Sequence, residues 1–94
     1  MMRPREFVLD GDWPRALMAD HHGARVAQGL ARRVAEEMDR QQISAQRLGV
    51  LSGVNRQTIA NVLAGSVWPD LLTMANLDRA LDLRLWPDLC DRQR

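Results

Sequence analysis

The sequence predicts an all-α fold of four to five short helices, with a possible short N-terminal strand. Apolar residues recur at three- and four-residue intervals in four stretches, which is the period of an amphipathic helix. A polar residue suited to capping precedes three of these stretches, and a glycine follows two of them. A length of 94 residues allows one domain with a single modest core.

The first 24 residues precede the periodic helices and have an irregular pattern. Residues 6–10 can form one short strand, and the turn signal Gly11-Asp12 follows them. Residues 12–18 can form a short helix, because Pro14 is tolerated in a first helical turn. Residues 21–23 are predicted to end that helix. This N-terminal extension is expected either to cover the core of the domain or to form a dimer seam.

The first two periodic helices are predicted at residues 24–40 and 45–52. Ser44 is a suitable N-cap for the second helix, and Leu48 and Leu51 are expected to point inward. The first helix has the clearest apolar stripe, formed by Ala27, Leu30, Ala31, Val34 and Met38.

The third helix is predicted at residues 56–64, after a sharp turn. Gly53 suits the turn because glycine adopts positive φ without steric cost, and Asn55 is a suitable N-cap. Gly65 is predicted to end the helix, and its buried side is formed by Ile59, Val62 and Leu63.

The fourth helix is predicted at residues 71–82, capped by Asp70. Residues 85–89 are expected to add at most one helical turn, and residues 91–94 form a loose tail. The apolar positions of the fourth helix are Leu71, Met74, Leu77, Ala80 and Leu81.

Charge is distributed unevenly along the chain, although the net charge is only +1. Residues 40–69 contain three Arg and no acid, whereas the chain as a whole has 12 acids. A surface that approaches phosphate groups excludes carboxylates, so this stretch suits a nucleic-acid partner. The small excess predicts modest affinity and steep salt dependence. No apolar run is long enough to span a membrane, and Cys90 has no partner for a disulfide, so a cytoplasmic location is expected.

The spacing of glycines and apolar residues resembles a known family. Residues 28–86 look like the helix-turn-helix domain of lambda-repressor-like, or Xre-type, regulators, and the segment 53–81 is similar to small actinobacterial members. Asp82 replaces a frequent glycine, and Pro87 interrupts the usual fifth helix. The resemblance depends on residues of the second and third helices and the loop after them: Leu48, Gly49, Gly53, Val54, Ile59, Val62, Gly65 and Pro69.

The resemblance implies that the third helix reads bases in the DNA major groove. Arg56 and Gln57 then face base edges, and Asn61, four residues after Gln57, shares their face. Arg can pair with guanine and Gln with adenine. The alternative interpretation is a solvated helix start, and for Asn55 the N-cap role is sufficient. Phosphate contacts are implied for four residues, Gln46, Arg47, Thr58 and Ser66.

The expected function is sequence-specific binding of double-stranded DNA by a transcriptional regulator, whose domain covers residues 25–90. A homodimer on a palindromic site is expected, because one small module buries little surface. The alternative is a protein-interaction module, such as an antitoxin or adaptor that binds a partner protein through residues 1–24. No catalytic arrangement or cofactor motif is present in the sequence, and the adjacent His21 and His22 lack further ligands, so neither an enzyme nor a metal site is expected.

Overall fold

The computed structural model describes residues 1–86, and it is mostly helical. A two-stranded antiparallel sheet lies near the N-terminus. None of the described helices combines the length and the apolar composition that crossing a membrane requires. In chain order the elements are a 3₁₀ helix Pro4–Phe7, the strands β1 (Val8–Asp10) and β2 (Leu17–Met18), and the helices α1 (His22–Gln41), α2 (Ala45–Ser52), α3 (Arg56–Ala64) and α4 (Leu71–Leu81).

The prediction of a short helix at residues 12–18 is wrong. Residues 17 and 18 form β2, which pairs with β1 so that Val8 lies opposite Met18. Burial explains the difference, because Leu17 is exposed whereas Ala16 and Met18 on either side are buried. That alternation has the period of a strand. The segment between Pro14 and His21 is too short for the sequence pattern to show this period.

Helix α1 begins where the sequence predicted an earlier helix to end. His21 is its N-cap, and its Nδ1 atom accepts a hydrogen bond from the backbone N–H of Ala24 at 3.0 Å. A histidine with a free ring nitrogen serves this purpose much as Asn or Asp does, so residues 21–23 start a helix instead of stopping one.

The bounds of α2 and α3 coincide with the predicted ranges, and α4 ends one residue early, at Leu81. Leu85 and Trp86 are not helical, and the remainder of the predicted final turn and tail lies outside the described residues. Leu51 does not point inward as predicted, since 38% of its surface is exposed. Helix α2 instead buries Leu48 and Ser52, which are four residues apart on one face.

The four helices enclose one main core. Leu48 of α2, Ile59 of α3 and Leu77 of α4 are fully buried there. Its buried members are Leu30, Val34, Leu48, Val54, Ile59, Val62, Leu77, Leu81 and Leu83. A second, smaller cluster joins the N-terminal segment to the start of α1 and to the loop after α3; it contains Phe7, Val8, Trp13, Ala16, Met18, Ala24 and Trp68.

Candidate nucleic-acid interface

A three-residue turn joins α2 to α3, and local hydrogen bonds define its shape. Gly53 ends α2 with a φ of 76°, and its N–H donates to the carbonyl of Gly49 at 2.9 Å. The Ser52 hydroxyl accepts from Val54 N–H at 3.1 Å, and Asn55 Oδ1 accepts from Gln57 N–H at 2.7 Å. Because each bond spans four residues or fewer, the direction in which α3 leaves the turn is set locally.

Two of the predicted base-contact residues, Arg56 and Gln57, are exposed at the start of α3, and the third, Asn61, lies one turn later and is half-buried. Arg56 is exposed and has no ion-pair partner among residues 1–86. Gln57 Nε2 donates to Asn61 Oδ1 at 3.0 Å, so these two side chains are held together on one face. The linked amides retain a carbonyl oxygen on Gln57 and N–H groups on Asn61, which can accept and donate further hydrogen bonds.

The predicted phosphate contacts differ in what they can donate. Gln46 and Arg47 are exposed in the first turn of α2, where Ser44 Oγ accepts from Arg47 N–H at 3.1 Å. Thr58 is partly exposed on α3. Ser66 has both of its donors engaged, since its N–H and its hydroxyl bind the Asn61 carbonyl at 3.1 Å and 3.2 Å. A phosphate oxygen needs a donor, so Ser66 is the weakest of the four candidates.

The fold reduces the free positive charge of the acid-free stretch from three Arg to two. Arg40 binds Glu37 of the preceding turn, with 2.6 Å between Arg40 Nη2 and Glu37 Oε1. The hydrogen bond from Arg40, followed by one from Gln41, lowers the pKa of Glu37 to about 2, so the carboxylate stays ionised below its ordinary range as well as at neutral pH. Arg47 and Arg56 therefore remain as the free cations of residues 40–69.

Tertiary structure also brings one distant cation to the turn. Arg79 of α4 donates from Nη2 to the carbonyl of Ser52 at 3.2 Å, at the C-terminal end of α2. A guanidinium there satisfies an orphan carbonyl and opposes the negative end of the helix dipole. No local pattern predicts this contact, because 27 residues separate the two groups.

The described residues contain no group of three or more His, Cys, Asp or Glu side chains placed to hold a metal ion. His21 is occupied as the N-cap of α1 and also packs against Phe7, with 4.2 Å between ring centroids. Comparison of the chain with protein-family models, curated proteins and solved structures finds no match. The function of the site is therefore inferred from its own geometry and charge.

Proposed function

We propose that this protein binds double-stranded DNA sequence-specifically as a transcriptional regulator, through a lambda-repressor-like helix-turn-helix formed by α2 and α3. One observation carries the proposal. The start of α3 presents a free Arg56 beside the linked Gln57–Asn61 pair, on a stretch from 41 to 69 that has no carboxylate. The guanidinium and the amide pair can form hydrogen bonds with base edges. The absence of carboxylates lets the same surface approach the flanking phosphates.

In this mechanism α3 enters the major groove with its N-terminal end leading. Arg56 has the two parallel donors that match O6 and N7 of a guanine. The hydrogen bond between Gln57 and Asn61 holds the two amides in one arrangement before DNA arrives. Less side-chain freedom is then lost on binding, which favours affinity at the adjacent base pair.

Helix α2 positions the protein on the backbone in the same mechanism. Gln46 and Arg47 lie in its first turn, where backbone N–H groups also point outward and the helix dipole is positive. Contacts to phosphate orient α3 without distinguishing sequences. A homodimer on a palindromic site completes the proposal, because a single domain of this size covers only a half-site. The mass of the protein on a palindromic duplex, measured by sedimentation, tests that stoichiometry.

Arg56→Ala is expected to weaken binding to the preferred site by about 1–3 kcal/mol and to relax preference at one base pair. The loss on random duplex should be much smaller, because a base contact is absent there. Affinity on both duplexes, measured by fluorescence anisotropy at one fixed salt concentration, checks the prediction.

Arg47→Ala is the matched control, since it removes the same charge from the exposed start of α2. It should weaken binding to preferred and random DNA by similar factors, as loss of a phosphate contact does. Equal losses on the two duplexes for Arg56→Ala would contradict the assignment of Arg56 to a base.

A second candidate function, a protein-interaction module such as an antitoxin or adaptor, is favoured by the N-terminal sheet. Leu9 and Leu17 are 66% and 65% exposed, so the sheet offers apolar side chains that a partner protein could cover. Co-purification with the product of an adjacent toxin gene, lost in the double variant Leu9→Ser/Leu17→Ser, would support it. DNA binding by the double variant should be unchanged, because the substituted side chains lie outside α2 and α3.

A further inference from the structure

The N-terminal segment is anchored to the C-terminal end of α3 by three contacts. The backbone N–H of Arg5 donates to the carbonyl of Gly65 at 3.0 Å. Trp13 Nε1 donates to the carbonyl of Leu63, also at 3.0 Å. The indole of Trp13 lies so close to Gly65 that a Cβ there would be 2.5 Å from its Cε2 atom. The position of Arg5 relative to α3 is therefore fixed by the fold.

The charge of Arg5 is available to a partner. Its side chain is exposed and forms no ion pair with any residue from 1 to 86. The neighbouring acid, Glu6, is engaged by Arg3, with 3.6 Å between Arg3 Nη2 and Glu6 Oε1. Arg15, in the same segment, reaches Glu36 of α1 at 3.5 Å.

In the proposed binding mode, the C-terminal end of α3 comes close to the DNA backbone. Helix α3 has nine residues, which at the rise of an α-helix gives a length of about 13 Å. The major groove is about 8.5 Å deep. If α3 is tilted out of the groove, with its N-terminal end leading, its last turn and the following residues come to the phosphate rim. Gly65 follows the last turn of α3, so it lies at the phosphate rim in this arrangement, and the backbone of Arg5 is hydrogen-bonded to it.

The predicted phosphate contact at this end of α3, Ser66, has no free donor. Both donors of Ser66 are bound to the carbonyl of Asn61. The free cations of the stretch, Arg47 and Arg56, lie in the first turns of α2 and α3. A cation held beside Gly65 would add a phosphate contact at the C-terminal end of α3, away from those that the first turns of α2 and α3 can make.

We propose that Arg5 binds a backbone phosphate at the rim of the major groove, beside the C-terminal end of α3. The inference rests on the proposed function and extends it, because it assigns a DNA contact to the segment that lies outside the region of family resemblance. The N-terminal segment then serves as a support that carries a cation to the DNA.

Arg5→Gln is expected to reduce affinity for preferred and random duplexes by the same factor, about fivefold at 0.15 M salt. The slope of log K against log salt should become shallower by about 0.9, the contribution of one phosphate contact. Arg5→Lys should retain the slope of the unaltered protein. The melting temperature should be unchanged in both variants, because the anchoring bond uses the backbone N–H and not the side chain.

Arg15→Gln is the matched control, since it makes the same charge change in the same segment at a side chain directed to α1. It should leave the salt slope unaltered. Equal changes in slope for the two variants would overturn the site, because they would indicate a general effect of net charge. An unaltered slope in Arg5→Gln, with normal binding by the unsubstituted protein, would overturn this inference alone. Failure of the unsubstituted protein to bind any duplex would overturn the proposed function as well.

Discussion

Gly65→Ala is expected to lower the free energy of unfolding by about 2–5 kcal/mol. Two costs add at this position. The backbone has a φ of 68°, which an L side chain rarely adopts, and the new Cβ would meet three atoms of the Trp13 indole at 2.5–2.9 Å. Trp13 cannot move freely, because its Nε1 atom is hydrogen-bonded to Leu63. Urea denaturation followed by circular dichroism measures the loss.

Gly53→Ala separates the two costs. Gly53 has a similar φ of 76°, but no atom lies within 4 Å of a Cβ placed there. Its substitution should therefore cost only the backbone strain, about 1–2 kcal/mol. In the background of Trp13→Ala, the substitution at Gly65 should cost no more than that at Gly53. Equal losses for the two glycine variants in the unaltered background would show that Trp13 does not pack on Gly65.

Leu48→Ala is expected to cost about 2–5 kcal/mol of stability, through lost burial and the cavity left behind. Leu48 has no exposed surface and belongs to the core shared by the four helices. Helix α2 has only eight residues, so this one side chain is its principal link to the core. Thermal and urea unfolding of the purified variant measure the effect.

Leu51→Ala is the control on the same helix. Leu51 is 38% exposed, and its substitution should cost less than about half as much as that of Leu48, because part of its surface stays in water in the folded protein. Similar losses at both positions would restore the interpretation that both leucines point inward. That outcome would require α2 to be rotated relative to the core.

The helices of the candidate interface can be predicted from the amino-acid sequence alone. Ser44 and Asn55 cap backbone N–H groups two or three residues ahead, and Gly53 and Gly65 end helices by adopting positive φ. All of these interactions lie within about one turn of the chain. A pattern of residue types is therefore enough to predict them, and the bounds of α2 and α3 followed from it.

The fold of the N-terminal segment and the set of unpaired cations depend on contacts between distant parts of the chain. The strand β2 forms where a helix was predicted, because its stability depends on pairing with β1 and on the burial of Met18. Trp13 bonds to Leu63, 50 residues away, and no local pattern encodes a partner at that distance. The local spacing of residue types shows which residues share a face. It does not show which apolar surfaces pack together or which cations stay unpaired, because these depend on contacts between distant parts of the chain.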